Sequence, residues 1–282
     1  MMRIIPTSRT HWWPLALVCL SLAASRLTFA HEFWITVGAL NIVDEPMRLV
    51  VGFGEQFPRP LPLSDGDSVA IRLFGADGKS RPLTPAVAND GEHVVRASLP
   101  AALEPGLYSI EATLDGKALT YSGADFQAYL TREHLASALQ FRRALQEEQL
   151  PARETVSMFA KYVVRIGATT DSVTPVLGSK LELAPVGDPT RIRAGDTLHV
   201  RVRFNNGVQA DTPVNASGYD GSTILGSLTG RTNGAGEVDF VFPSPGIWLM
   251  HTVLTLPGSA PRGEPTDWRS YWASLTVNVT SR

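Results

Sequence analysis

The chain has 282 residues, 44% of them hydrophobic, and a formal net charge of −2 at pH 7. That balance gives no electrostatic footing for nucleic acid or for an anionic membrane surface. The only cysteine, Cys19, falls within the first 30 residues, so thiol catalysis and thiolate metal sites are excluded from everything after them.

Residues 1–30 read as a secretory leader. Arg3 and Arg9 make a positive start, and Trp12 to about Ala24 an apolar stretch broken by Pro14 and Ser21. Thr28-Phe29-Ala30 then places small residues at −3 and −1 of a cleavage site, with cleavage around Ala24 or Ser25 as the competing alternative. The stretch is too short and interrupted for a spanning helix, and Val18 is not the small residue that lipidation at Cys19 would require. Removal of the leader leaves 252 residues (282 less 30), with no membrane insertion expected. A periplasmic location suits an exported chain without disulfides.

Residues 31–130 read as a first β-sandwich. Candidate strands are Arg48–Phe53, Val69–Phe74, His93–Ala97 and Leu107–Ala112, separated by Gly, Pro and Asp-Gly turns. Residues 131–170 change character and are expected to form a helical connector. Thr131 is placed to cap a first helix carrying Leu135, Ala138, Leu139 and Leu145. After Pro151, the i, i+3, i+4, i+7 spacing of Val156, Phe159, Ala160 and Val163 predicts a second. Residues 171–282 return to strands: Thr197–Phe204, Glu237–Phe242, Ile247–Val253 and Tyr271–Val277. The halves echo each other, Gly66-Asp67-Ser68-Val69 against Gly195-Asp196-Thr197-Leu198, and Pro105-Gly106-Leu107-Tyr108 against Pro245-Gly246-Ile247-Trp248. The fold expected is mainly β: two immunoglobulin-like or transthyretin-like antiparallel sandwiches joined by a short helical segment.

Cleavage after Ala30 makes His31 the first residue of the mature chain. Its α-amino group and imidazole Nδ1 can then close on one metal ion as a chelate, which an internal histidine cannot do. Nitrogen donors of this kind suit copper and nickel. His251 is the best second ligand: strand alternation sets it with Leu249 and Val253 on one face, where a histidine needs a partner. Glu32, Glu55 and Asp267 are the carboxylates available to complete coordination. His93, His134 and His199 read as ordinary surface or structural residues. No Gly-x-Ser-x-Gly, His-Glu-x-x-His, phosphate loop or Gly-x-Gly-x-x-Gly is present. The one enzymatic reading left is a copper redox enzyme built on an N-terminal histidine brace. Trp248, Trp268, Tyr271 and Trp272 invite a carbohydrate-binding reading, but alternation puts Tyr271 and Trp272 on opposite faces, which favours core packing.

Five segments together resemble an exported bacterial family, DUF4198. They are Ala30–Trp34, Phe126–Leu130, Leu181–Pro185, Pro245–Leu249 and, most specific of all, Trp268–Thr276. Members of that family are often described as periplasmic components of nickel or cobalt uptake. The resemblance implies a β-sandwich protein that handles a divalent metal (nickel, cobalt or copper) beside a membrane metal-uptake transporter. The expected function is metal binding and delivery through His31 and His251, without catalysis. The competing reading is an immunoglobulin-like or carbohydrate-binding adhesion module that carries no metal.

Overall fold

The computed structural model describes residues 32–37, 47–63, 67–75, 77–87, 94–100, 102–170, 174–258 and 267–282. The leader, His31 and His93 lie outside them. The first part of the chain forms β1 (Glu32–Val37), β2 (Arg48–Gly54), β3 (Val69–Phe74), β4 (Ser80–Leu83), β5 (Ala86–Val87), β6 (Val95–Ser98) and β7 (Gly106–Tyr121). Helices α1 (Gly123–Arg132) and α2 (Ala136–Ala144) follow, then β8 (Ala152–Ile166). The second part forms β9 (Leu181–Pro185), β10 (Thr197–Phe204), β11 (Gly207–Val208), β12 (Pro213–Tyr219) and β13 (Ile224–Arg231). It closes with β14 (Glu237–Val241), β15 (Gly246–Pro257) and β16 (Trp268–Val279). Among the described residues no helix is long and apolar enough to cross a membrane.

The protein is mainly β and sandwich-like, as the turn-punctuated pattern predicts. One sheet of eight strands, ordered β13-β12-β15-β16-β8-β7-β3-β4, runs through both halves. Two four-stranded sheets, one ordered β1-β2-β6-β5 and one built on β9, β10, β11 and β14, pack against it. Phe33, Ile35, Leu49, Val51, Ile71 and Ile110 belong to a first core, Leu183, Val200, Val202, Phe240, Trp248 and Leu275 to a second. At ~25 cal/mol per Å² of apolar surface, these two cores are what stabilises a chain with no disulfide to close its loops.

The joint between the halves differs from the expected helical connector. β8 is a strand, antiparallel to β7 on one side and parallel to β16 on the other. Its buried residues recur every second position: Ala152, Glu154, Val156, Met158 and Ala160. The helical spacing of Val156, Phe159, Ala160 and Val163 arises because the strand is buried on both faces, with Phe159 packed on the second core. The two helices are instead an excursion between neighbouring strands β7 and β8. α1 also starts eight residues before Thr131. Ser122 caps it, its Oγ accepting the Asp125 N–H at 3.1 Å, and Phe126, Tyr129 and Leu130 form the buried stripe. Thr131 sits in the last turn, donating to the Gln127 carbonyl at 2.8 Å.

The matched segments do open strands, but not equivalent ones. β3 pairs with β7 in one sheet, whereas β10 and β15 lie in facing sheets. What repeats is a local device. The Tyr108 hydroxyl donates to the Glu104 carbonyl at 3.0 Å and the Trp248 indole to the Ser244 carbonyl at 3.1 Å. Each aromatic pins the turn four residues before it.

Candidate functional site

β1 is the edge strand of its four-stranded sheet, paired with β2 along its whole length, and packs across β16 and β8 of the large sheet. Ser274 of β16 fixes it there, its hydroxyl donating to the Phe33 carbonyl at 2.5 Å. Ser274 is also the register partner of His251 in β15. The same hydrogen bond that seats β1 therefore brings Glu32 over His251. From the other side, α1 ends with Glu133 as its C-cap residue, buried against the same histidine.

The result is an imidazole between two carboxylates. His251 Nε2 lies 3.1 Å from Glu133 Oε2, a hydrogen bond, and Nδ1 lies 3.5 Å from Glu32 Oε1. The second separation is too long for a hydrogen bond, and among the described residues Nδ1 is buried without a hydrogen-bond partner. Glu32 is held by its other oxygen, which accepts the Phe57 N–H. Arg132 Nε approaches Glu133 Oε1 at 3.5 Å. Trp34, Phe57 and Leu249 form an apolar cluster beside the site, Trp34 and Phe57 meeting edge to face at 5.5 Å. Water is displaced from that flank, and charge interactions strengthen accordingly.

Burial pulls the His251 imidazole towards neutrality, yet the Glu133 charge and hydrogen bond, then the Glu32 charge, hold its pKa above 6.5. For Glu133, burial acts to raise the pKa, but His251 and then Arg132 bring it below 4.5. Burial dominates at Glu32, whose pKa is raised despite His251 and the Phe57 N–H. The centre is thus a His251–Glu133 ion pair with Glu32 beside it.

His251 lies where alternation puts it, sharing a strand face with Leu249 and Val253. His31, its expected companion, is outside the described residues, although its chain neighbour Glu32 is at the site. Of the three carboxylates considered from sequence, Glu32 faces His251, while Asp267 is engaged by Arg153 at 3.0 Å. Glu55 follows Gly54, the register partner of Glu32. His134 is exposed between the two helices and His199 pairs with Asp239 at 2.6 Å on the solvated face. Glu133 is the residue that sequence reasoning misses. The signal was present: Phe126, Tyr129, Leu130 and Glu133 stand at i, i+3, i+4 and i+7, a carboxylate on the apolar face of a helix.

Among the described residues no group of three or more His, Asp or Glu side chains is arranged to hold a metal ion. Glu133 engages the far nitrogen, so Glu32 and His251 Nδ1 are the two donors that face one another. The aromatics that suggested a carbohydrate platform are buried: Trp248, Trp268, Tyr271 and Trp272 are each at most 5% exposed.

No curated protein matches the sequence. Among solved structures, the chain is similar to a tetra-tandem repeat in the extending region of a large adhesion protein, at 12% identity and a TM-score of 0.22. That likeness covers 88% of this chain and 50% of the other. A DUF4785 family protein from Legionella pneumophila subsp. pneumophila str. Philadelphia 1 matches at 10% identity and a TM-score of 0.24, covering 78% and 51%. The D00-D0 domain of intimin matches at 13% and 0.20, covering 88% and 100%. The chain spans about half the length of the first two, and at such TM-scores none of these likenesses carries an argument. The family comparison is of another order: the profile described as "Domain of unknown function (DUF4198)" matches residues 28–255, from just before His31 to just past His251, and the chain belongs to that family.

Proposed function

We propose that the protein is an exported, non-catalytic carrier of a divalent transition metal, nickel, cobalt or copper, delivering it to a membrane uptake system from the periplasm. The ion is gripped by the α-amino and imidazole nitrogens of His31, exposed by leader removal, together with His251. One observation carries the reading. A buried imidazole nitrogen with no hydrogen-bond partner among the described residues faces the carboxylate of Glu32, and Glu32 is bonded directly to His31. Orphaned buried nitrogens are costly, and one of this kind is a ready ligand for a cation.

The donor chemistry suits the cargo. Amine and imidazole nitrogens favour copper and nickel over harder ions. Binding must displace the proton from His251 Nδ1, so affinity falls as pH falls, which gives a route to release. The apolar flank of Trp34, Phe57 and Leu249 keeps bulk water from competing for the ion.

The test uses protein exported with its own leader. Mass spectrometry of the mature chain is expected to place residue 31 first. Calorimetric titration with nickel, cobalt and copper is expected to show one strong site, lost in His251→Ala and weakened at least tenfold when a methionine precedes His31. Equal affinity of the methionine-capped protein rejects the chelate. No metal binding together with retention on a glycan array would favour the adhesion module instead.

A further inference from the structure

We propose that Glu32 is itself a ligand to the captured ion, and that Glu133 is a positioning residue that commits His251 to binding through Nδ1. This rests on the metal-carrier reading and specifies its site. The geometry supplies both roles. Glu133 takes the Nε2–H at 3.1 Å, so the lone pair available for a cation is on Nδ1. That nitrogen is the one left without a hydrogen bond, and the group opposite it is Glu32 Oε1 at 3.5 Å. Two donors each ~2.1 Å from one ion and about 110–115° apart are separated by ~3.5 Å. A distance too long for a hydrogen bond is therefore the right one for a shared cation.

Both carboxylates are fixed before any ion arrives. Glu32 has one oxygen anchored by the Phe57 N–H, which leaves Oε1 to face Nδ1. Glu133 caps α1, its own N–H bonded to the Tyr129 carbonyl at 3.0 Å, and Arg132 approaches its second oxygen at 3.5 Å. The arrangement is that of a metal-bound histidine oriented by a carboxylate on its other nitrogen, a partner whose loss typically costs 10–100-fold in affinity. Ser274 ties β1 to β16 beside His251, so Glu32 and His251 are held in one place.

The experiment compares the exported wild-type protein with Glu32→Gln, Glu133→Gln, Glu133→Leu and His251→Ala. Nickel affinity is measured by calorimetry, and zinc, a diamagnetic probe, is added to histidine-¹⁵N-labelled protein for NMR. Each variant is checked for a folded circular dichroism spectrum. In zinc-loaded wild type, His251 is expected to show a metal-bound Nδ1 and a protonated Nε2. Glu32→Gln should lose at least tenfold in nickel affinity while keeping that tautomer. Glu133→Gln, which keeps an oxygen acceptor, should lose less than Glu133→Leu, and only Glu133→Leu should give mixed or Nε2 ligation. Wild-type binding through Nε2, or nickel affinity unchanged in Glu32→Gln, overturns the inference while the carrier reading stands if His251→Ala still abolishes binding. Absence of nickel binding in wild type overturns both.

Discussion

Glu154 shows what a single buried carboxyl does to this protein. It is fully buried in β8, its Oε1 accepting the Ser270 hydroxyl. Burial lifts its pKa from 4.5 to about 7, against the Ser270 hydrogen bond and the nearby Tyr121 and Tyr129 hydroxyls. A group that keeps its proton in the fold and loses it when unfolded lowers stability as pH rises. The loss runs from pH 4.5 to about 7 and amounts to ~3 kcal/mol above that range. Glu154→Gln is expected to abolish that slope and to melt above the wild type at pH 8, read by thermal unfolding across pH 4.5–8. A wild-type melting temperature that is flat across the range, or a variant with the same slope, contradicts this. His251 adds to the trend on the alkaline side: its raised pKa gives a contribution complete below 6.5 and lost as pH climbs through the folded value.

Among the elements, two strands are shaped by a glycine placed opposite a tryptophan. Gly52 faces Trp34 across β1 and β2, and Gly218 faces Trp248 across β12 and β15. A Cβ at Gly52 would stand 2.4 Å from the Trp34 ring, and one at Gly218 2.8 Å from that of Trp248. Both indoles are buried and lie over the bare backbone, so neither can withdraw cheaply. Gly52→Ala is expected to cost ~1–3 kcal/mol, a fall of about 2–4 °C in melting temperature per kcal/mol for a chain of this size. Gly234→Ala, with open space around it, should melt like wild type. An unshifted Gly52→Ala would show that Trp34 is loosely held. The same elements show where sequence reading works. β3, β10, β15 and β16 were legible because their turns are marked by Gly and Pro and their apolar residues alternate. β8 was not, because Glu154 breaks its apolar alternation and burial on both faces fills the helical positions too. His251 was legible from its strand face, whereas Glu133 was not, because starting the helix at Thr131 detaches Glu133 from the apolar stripe of Phe126, Tyr129 and Leu130. The helix pattern marks its face as buried, but its partner on β15, 118 residues away, is in no local pattern.

At the scale of the molecule, β8 and β16 make one object of two cores. Their parallel register, Trp268 with Glu154 through Thr276 with Tyr162, carries the sheet from the first half into the second. Lys161 of β8 and Glu182 of β9 form a buried ion pair, and Glu182 also accepts the Leu177 and Gly178 N–H groups at 2.9 and 3.2 Å. The link into the second half is thereby tied to the shared strand. Differential scanning calorimetry is expected to show one transition, shifted as a whole by either Gly52→Ala or Gly218→Ala. Two transitions, each responding to one substitution, would mean that the halves unfold separately.

That shared sheet also presents His251 to β1, where the proposed grip on a cation calls for the terminus that leader removal is proposed to create. Anomalous diffraction from crystals of the exported mature protein, soaked with one equivalent of nickel and recorded at the nickel edge, locates the ion directly. The account predicts a single strong peak about 2 Å from His251 Nδ1, bounded by Glu32 and the two nitrogens of residue 31. A peak elsewhere in the molecule, or a metal-loaded crystal with none at that position, would contradict it.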